Sequence, residues 1–283
     1  MTNTVADQLE AGFRRLTEAG VRTPLLDAQL LMAHALKCSR LDVIAHPERD
    51  LSECEIAEFS LLLDRRAGRC PVAYMLGVKE FYGLEFDVSP GVLIPRPETE
   101  ALVDVCLSRI GREPVLIAEV GVGSGAIAVT LAANLVSARI YATEISTAAL
   151  EVARQNVEKH QLAERVSLFE GSFLEPLADL GLRFDAVVCN PPYIPSGEIA
   201  ALEPGVRDYE PAEALDGGQD GLDAYRLLFP AGSGLLRDGG FVAVEVGVGQ
   251  AEAVQEMADG AGYGGVESVC DLAGIPRVVI GYK

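Results

Sequence analysis

The sequence predicts an α/β protein in which a doubly wound sheet follows a small helical bundle. From residue 114 onward, apolar strand-like runs alternate with helical segments, the pattern of a sheet with helices on both faces. Before that point, apolar residues recur mainly at helical spacing. Seven strands are expected, at residues 115–120, 139–143, 166–169, 184–189, 241–246, 266–269 and 277–280.

Capping residues mark the predicted helices of the first segment. Thr23 before Pro24 predicts a helix start with a capping hydroxyl, and Ser52 with Glu55 forms a capping box. Apolar residues around Tyr82 then predict a short β-hairpin. We therefore expect a helical domain over 1–76, a hairpin linker over 77–92 and an α/β domain over 93–283.

Composition narrows the class of protein. No uninterrupted apolar stretch approaches the roughly 18 residues of a membrane helix, and the N-terminus lacks the order of a signal peptide. The six cysteines form no CxxC pair, which favours reduced thiols in a cytoplasm. The three histidines lie far apart without HExxH spacing, so no metal site is expected.

The net charge of −19 is unevenly distributed. Residues 1–76 hold nine Lys or Arg against eleven Asp or Glu, and the remainder holds 14 against 31. Because duplex binding depends on cations that neutralise phosphates, this balance disfavours nucleic acid as a direct substrate. A local basic groove within the acidic average would still permit it.

The most informative motif is Asn190-Pro191-Pro192-Tyr193, directly after the apolar run at 184–189. Two prolines end the strand because neither donates a ladder hydrogen bond. The turn therefore lies at the carboxyl end of a strand, where open α/β sheets bind ligands. Its amide, carbonyls and aromatic ring suit a planar NH2 group, although Asn-Pro-Pro is also ordinary loop punctuation.

A glycine loop follows the first predicted strand, with Gly121, Gly123 and Gly125. Such a loop lets a ligand approach the backbone closely, but many nucleotide-binding folds carry one. Glu144 ends the next strand 23 residues after Gly121, where an acid binds ribose hydroxyls. Alternatively, Glu144 is a solvated acid before a helix capped by Thr147.

Two residues favour S-adenosylmethionine over a nicotinamide dinucleotide as cofactor. Glu119 places a carboxylate before the glycines, where it would repel a pyrophosphate and attract a sulfonium or amino group. Phe173 follows the third strand, where its ring can stack on an adenine or belong to the core.

These residues resemble the bacterial release factor glutamine methyltransferases, the PrmC/HemK family. The resemblance extends from about residue 77 to residue 283, and the N-terminal helices match only in character. The glycine loop and the 190–193 turn occur in many methyltransferases, whereas 95–100 and 207–218 are more specific to this family. The motifs are at 80–84, 93–100, 123–128, 190–194, 206–211, 215–218, 220–222 and 271–274.

The resemblance implies a class I S-adenosylmethionine-dependent methyltransferase with a Rossmann-like, seven-stranded sheet. Members methylate the side-chain amide nitrogen of the glutamine in the Gly-Gly-Gln motif of class I peptide chain release factors. The helical domain would help to hold the substrate. We accordingly expect a cytoplasmic monomer that acts on release factors, with no direct nucleic-acid or membrane partner.

The family pattern also implies roles for individual residues. Catalysis is assigned to Asn190, Pro191 and Tyr193, which with Pro192 would bind the glutamine. Ser172 stands where an acid is frequent, which leaves the adenine contact at that position open. The implied cofactor-binding residues are Glu119, Gly121, Val122, Gly123, Ser124, Gly125, Glu144, Phe173 and Asn190.

Alternatives remain at this level. The same turn suits an adenine-amino methyltransferase acting on DNA or RNA, and a non-catalytic cofactor-sensing module would share the glycine loop. Several polar residues have either a site role or a bracing role, and Glu245 is either a helper acid or a solvated edge residue. The others are Arg96, Glu98, Thr99, Arg207, Asp208 and Glu210.

Overall fold

The structure is a computed structural model that describes residues 3–111 and 114–283. The chain separates into two compact units. One comprises the residues up to 78 together with 203–209, and the other comprises 79–202 and 210–283. Compactness thus groups 203–209 with the helical unit, although the sequence places this polar loop in the α/β domain. The predicted domain roles and boundaries stay predictions.

The first unit is helical, and its core includes Leu16, Leu31 and Phe59. Its helices are α1 (Val5–Glu18), α2 (Pro24–Leu36), α3 (Arg40–Ala45), α4 (Glu53–Ala67) and α5 (Val72–Leu76). The helices of the second unit are α6 (Glu100–Arg109), α7 (Ala126–Asn134), α8 (Thr147–Lys159), α9 (Glu175–Ala178), α11 (Asp223–Leu235) and α12 (Ala251–Gly260). The short helix α10 (Pro204–Arg207) lies between α9 and α11 in the chain but belongs to the first unit.

Two of the predicted helix starts have different outcomes. The capping box of Ser52 and Glu55 at α4 is confirmed. The predicted start of α2 is confirmed, with Thr23 at the N-cap and Pro24 as the first helical residue, but the capping hydroxyl is wrong, because it donates 2.8 Å to Asp27 Oδ1 and accepts no backbone N–H. Asp27 is buried and paired with Arg66 at 2.7 Å, so the Thr23 hydroxyl helps to satisfy a buried carboxylate.

The second unit holds a two-stranded hairpin and a seven-stranded sheet, as expected. The sheet order is β5-β4-β3-β6-β7-β9-β8, with β9 antiparallel to both neighbours and the other pairs parallel. The strands are β1 (Val78–Phe81), β2 (Leu84–Asp87), β3 (Val115–Val120), β4 (Ala138–Glu144), β5 (Val166–Glu170), β6 (Phe184–Cys189), β7 (Leu236–Glu245), β8 (Gly264–Cys270) and β9 (Pro276–Tyr282).

Strand β7 begins five residues earlier than predicted, at Leu236 rather than Phe241. The sequence Asp238-Gly239-Gly240 is typical of a turn, which is why the prediction began after it. In the structure it forms an irregularity within the strand, where the register against β6 shifts between Phe184 and Ala186.

Strand β6 is buried on both faces, as its continuous apolar sequence predicts. Ala186 and Val188 face one core cluster, while Val187 and Cys189 face the other. This alternation follows from the two-residue period of a strand and places the sheet between two apolar layers.

The sheet order fixes where the site lies. The chain proceeds from β3 outward to β4 and β5, then returns to β6 on the opposite side of β3. The switch point, where such sheets bind ligands, is therefore between β3 and β6. Val120 and Cys189 are register partners at the ends of these strands, so the loops after them leave the sheet side by side.

Two searches of the described residues complete the fold. No helix within them is both long enough and apolar enough to pass through a membrane. The same part of the chain contains no group of three His, Cys, Asp or Glu side chains arranged to hold a metal ion. All six cysteines are free thiols.

Candidate active site

A cavity of about 770 Å³ lies at the carboxyl ends of the central strands. Its volume is within the roughly 300–1,000 Å³ typical of small-molecule and cofactor sites. The loops after β3, β4, β5 and β6 all contribute to its wall. The predicted site residues that line it are Glu119, Gly121, Val122, Gly123, Ser124, Glu144, Phe173, Asn190, Pro191 and Pro192.

Gly125 and Tyr193 are the predicted residues that do not line the cavity. Gly125 is the N-cap of α7 with φ of 85°, and a Cβ there would lie 3.5 Å from the Ala153 Cα. Its position next to α8 gives it a packing role. The Tyr193 hydroxyl instead donates 3.2 Å to Glu245 Oε1.

The glycine loop is held open by its backbone conformation and by Glu144. Gly121 and Gly123 have φ of 72° and 54°, in the left-handed region that glycine adopts without strain. The Gly123 amide donates 3.0 Å to Glu144 Oε2, and the Ser146 amide donates 3.0 Å to Oε1. Each oxygen retains acceptor capacity for a ribose hydroxyl. The predicted cap Thr147 is wrong, because Ser146 caps α8.

Substituting Gly123 by alanine is expected to abolish measurable cofactor binding with only a modest loss of stability. A Cβ at Gly123 meets no atom within 4 Å, so the folded protein bears mainly the left-handed strain of about 1–2 kcal/mol. The methyl group, however, projects from a residue of the cavity wall. Calorimetric titration and thermal melting measure the two effects.

Gly181→Ala is the matched control for this substitution. Gly181 has φ of 66°, a Cβ there also meets no atom within 4 Å, and the residue lies outside the cavity. The two variants should melt at similar temperatures, and only Gly123→Ala should lose cofactor. Equal affinity in both would contradict a role of this loop in binding.

Glu119 is fully buried, and neither of its carboxylate oxygens has a hydrogen-bond partner of good geometry among the described residues; the Ala128 amide is the one protein donor near enough to favour its ionised form. Burial, reinforced by the charge of Glu144, raises its pKa well above the ordinary value. A buried acceptor of this kind on a cavity wall is suited to a donor or cation from a ligand. The site therefore fits the sulfonium or amino group of S-adenosylmethionine and disfavours a pyrophosphate.

Phe173 and Ser172 both line the cavity after β5. Phe173 has φ of 46°, an uncommon conformation for a bulky residue, and its carbonyl accepts a 2.6 Å hydrogen bond from Thr143 Oγ1. Its ring is half-buried and also packs against one core cluster. Phe173 therefore both lines the cavity and packs against the core.

The 190–193 turn presents two unused acceptors at the cavity wall. Asn190 Nδ2 donates 3.1 Å to Thr99 Oγ1. Within the described part of the chain, Asn190 Oδ1 and the Pro191 carbonyl accept no hydrogen bond. Because both residues line the cavity, these oxygens are available to the two hydrogens of a ligand NH2 group.

A neighbouring loop braces this turn, which the sequence analysis did not predict. The Ile194 amide donates 3.0 Å to the Leu215 carbonyl, and Gln250 Nε2 donates 2.9 Å to the Tyr193 carbonyl. A Cβ at Gly217 would lie 2.8 Å from the Pro192 carbonyl oxygen, so only glycine fits. The paired glycines at 217–218 were the available indication of this close approach.

Thr99 and Glu245 form a buried connection to the turn. The Thr99 hydroxyl donates 2.6 Å to Glu245 Oε2, and Glu245 is only 1% exposed. The interpretation of Glu245 as a solvated edge residue is therefore wrong. Burial raises its pKa to about 7, against the opposing hydrogen bonds from Thr99 and Tyr193.

The sequence left the roles of several other polar residues undecided; of these, Arg96 lines the cavity and Glu210 stabilises a cavity loop. Arg96 lines the cavity and donates 2.5 Å to Glu210, whose other oxygen accepts 3.2 Å from the Ile94 amide. Glu210 thus braces a cavity loop. Arg207 and Asp208 form an ion pair with each other at 2.7 Å.

The protein is a class I S-adenosylmethionine-dependent methyltransferase. This class is defined by the sheet order and the glycine loop, together with the buried Glu119 carboxylate and the two free acceptors of the 190–193 turn. The model of the PrmC N-terminal domain matches residues 7–77, and that of the methyltransferase small domain matches residues 98–202. The chain belongs to the release factor glutamine methyltransferase family, because curated members share 45% identity over nearly its whole length.

Two such relatives are the release factor glutamine methyltransferases of Moorella thermoacetica and Geobacter sulfurreducens. The first is 45% identical and covers 99% of each chain; the second is 45% identical and covers 94% of this chain and 92% of the relative. A methyltransferase structure from Pyrococcus furiosus aligns with a TM-score of 0.56 at 20% identity, over 78% of this chain and 98% of that one. That likeness shows the fold.

Proposed function

We propose that this enzyme transfers a methyl group from S-adenosylmethionine to the side-chain amide nitrogen of the glutamine in the Gly-Gly-Gln motif of class I peptide chain release factors. The observation that supports this most is the pair of unused acceptors, Asn190 Oδ1 and the Pro191 carbonyl, at the cavity wall. Two acceptors match the two hydrogens of a carboxamide.

Glu119, Glu144, Phe173 and the glycine loop would hold the cofactor, because they line the same cavity. When bound, S-adenosylmethionine supplies an electrophilic methyl group on a positively charged sulfur. The buried Glu119 carboxylate, which has no cationic partner among the described residues, is the group suited to that charge.

We call the two acceptors, Asn190 Oδ1 and the Pro191 carbonyl oxygen, the clamp; it compensates for a weak nucleophile. A carboxamide nitrogen reacts poorly because its lone pair is delocalised into the carbonyl. The Asn190 and Pro191 oxygens accept both hydrogens, which orients the nitrogen and stabilises the positive charge that develops on it. Each such acceptor contributes roughly 3–4 kcal/mol, and positioning contributes about 7–11 kcal/mol.

No strong base needs to act before methyl transfer, since the nitrogen becomes acidic only afterwards. The role of Tyr193 in binding the glutamine stays a prediction, and this residue does not line the cavity. Its hydroxyl is bound to Glu245, so Tyr193 also connects the clamp to the buried carboxylate.

The adenine-amino methyltransferase remains the second candidate, because the same two acceptors suit an exocyclic NH2 group. The acidic balance of residues 77–283, 14 basic against 31 acidic, argues against a phosphate backbone at this unit. A non-catalytic sensing module is disfavoured by the unused clamp acceptors.

The test compares substrates directly. The protein is incubated with labelled S-adenosylmethionine and, in parallel, with a class I release factor, the same factor with its motif glutamine changed to alanine, and duplex DNA and RNA. We expect one added methyl group on the motif glutamine of the first substrate only, mapped by peptide mass spectrometry. Label on nucleic acid, or on the alanine variant, would contradict the proposed substrate.

We place the reaction in the cytoplasm, with a monomeric enzyme whose helical unit contributes to recognition of the release factor. The six free thiols are consistent with a reducing compartment.

A further inference from the structure

A continuous chain of hydrogen bonds runs from the clamp to a buried carboxylate. Asn190 Nδ2 donates 3.1 Å to Thr99 Oγ1, and Thr99 Oγ1 donates 2.6 Å to Glu245 Oε2. Tyr193 donates 3.2 Å to the other Glu245 oxygen. Thr99 is 4% exposed and Glu245 is 1% exposed, so water does not compete at these links.

The direction of this chain is fixed at its buried end. An ionised carboxylate only accepts hydrogen bonds, so the Thr99 hydroxyl must give its one hydrogen to Glu245. Thr99 can then only accept from Asn190, and among the atoms of that carboxamide only Nδ2 donates. The Asn190 oxygen is consequently left for the cavity, as the proposed clamp requires.

Without the ionised Glu245 carboxylate, the order of donors and acceptors along this chain would no longer be fixed. The Thr99 hydroxyl could donate to Asn190 Oδ1, and the carboxamide would turn by half a rotation about its terminal bond. The turned group presents two N–H donors to the substrate nitrogen, which carries two hydrogens of its own. A clamp in that orientation repels its substrate.

We propose that Glu245 and Thr99 are positioning residues that set the orientation of the Asn190 carboxamide, so that its oxygen faces the nitrogen to be methylated. This inference rests on the proposed function. Neither residue is assigned to contact the reacting atoms; both act through Asn190.

The charge on Glu245 also gives this device a pH dependence. The groups that face the carboxylate are Thr99 and Glu98 from the short helix Pro97–Thr99, Tyr193, the neutral thiol of Cys189, Tyr225 from α11 and Arg277 from β9. Burial raises the pKa of Glu245 to about 7, opposed by the two hydrogen bonds and Arg277 and assisted by Glu98. Protonation lets the carboxyl donate to Thr99, which reverses the chain. Correct orientation is therefore present above this pKa and lost below it.

The experiment uses Thr99→Val, Thr99→Ser and Glu245→Gln in the full-length enzyme, with a release factor as substrate. Thr99→Val removes the hydroxyl at nearly constant volume, and Thr99→Ser restores it. Thr130→Val is the matched control, because Thr130 is fully buried in α7, lies outside the cavity, and its hydroxyl has no hydrogen-bond partner among the described residues.

We expect Thr99→Val to lower kcat roughly 10- to 100-fold, with the KM for release factor and the Kd for S-adenosylmethionine within about threefold. Thr99→Ser should return to within about threefold of the unsubstituted enzyme, and Thr130→Val should retain its kcat. In Glu245→Gln, the amide can either donate to Thr99 or accept from it, so kcat should fall. The decrease of kcat on the acidic side of the pKa of about 7 (the acidic limb) should also disappear from its pH profile.

Three results would overturn the inference: an unchanged kcat in Thr99→Val, a loss shared equally with Thr130→Val, or an acidic limb that persists in Glu245→Gln. Thermal melting and cofactor titration of each variant separate misfolding from misorientation. If the unsubstituted enzyme itself fails to methylate the release factor, the proposed function fails instead. Methylation by that enzyme together with unaffected variants would reject the positioning role alone.

Discussion

Replacing Asn190 with alanine is expected to lower kcat by at least about 100-fold while the affinity for S-adenosylmethionine stays within about threefold. The side chain provides one of the two unused acceptors at the cavity wall, and its loss leaves the Pro191 carbonyl alone. One hydrogen of the substrate amide then lacks a partner as charge develops on the nitrogen. Single-turnover methylation of a release factor gives the rate, and calorimetry gives the affinity.

This effect should be larger than that of any change further along the hydrogen-bond chain. Thr99→Val leaves the Asn190 oxygen in place and removes only its orientation, so it serves as the graded comparison. Near-normal turnover by Asn190→Ala would end the clamp hypothesis. A parallel loss of cofactor affinity would show that Asn190 acts mainly in cofactor binding, the other role that the family pattern implies for it.

Replacing Glu119 with glutamine is expected to have opposite effects on cofactor binding and on stability. The buried carboxylate has no cationic partner and no hydrogen bond of good geometry among the described residues, so a cationic ligand would stabilise its ionised form more than the Ala128 amide does. The neutral amide removes that attraction, and the Kd for S-adenosylmethionine should rise roughly 10- to 100-fold. Equilibrium titration of both proteins at several pH values measures the change.

The pH dependence identifies the cause. Burial raises the pKa of Glu119 in the ligand-free protein, so binding of a cation beside it favours release of the carboxyl proton. Affinity of the unsubstituted enzyme should therefore increase with pH, and affinity of Glu119→Gln should not. A Kd that is equally independent of pH in both proteins would contradict the assignment of Glu119 to the cofactor cation.

Stability of the ligand-free protein should change in the other direction. A raised folded-state pKa means that the contribution of Glu119 is fully present below its unfolded pKa and declines as pH rises above it. Glu119→Gln removes this decline, so its free energy of unfolding at pH 7 should exceed that of the unsubstituted protein. The difference should vanish near pH 4, which denaturant titrations at the two pH values test.

Local sequence was sufficient to predict the strand, the turn and the glycine loop that form the site. The run at 184–189 predicted a doubly buried strand because continuous apolar sequence has no solvent face, and β6 has those bounds. The prolines fixed where it ends. Gly121 and Gly123 marked the loop after β3 because their left-handed conformation is open to few other residues.

Long-range partners were beyond local sequence. Thr99 and Glu245 are 146 residues apart, and their contact depends on which strands are neighbours. The sequence alone left Glu245 either a helper acid near the site or a solvated edge residue, since a strand end is compatible with both. The grouping of 203–209 with the helices and the approach of Gly217 to Pro192 also depend on the tertiary arrangement.

The sequence by itself therefore determined the order of strands and helices, the cofactor loop and the acceptor turn, because spacing, proline and glycine act on their immediate neighbours. The tertiary structure decided that the Glu119 carboxylate is buried without a well-formed hydrogen bond from the described residues and that Glu245 reaches Asn190 through Thr99. Burial and charge at these acids depend on every element packed around them, and only the folded chain brings those elements together.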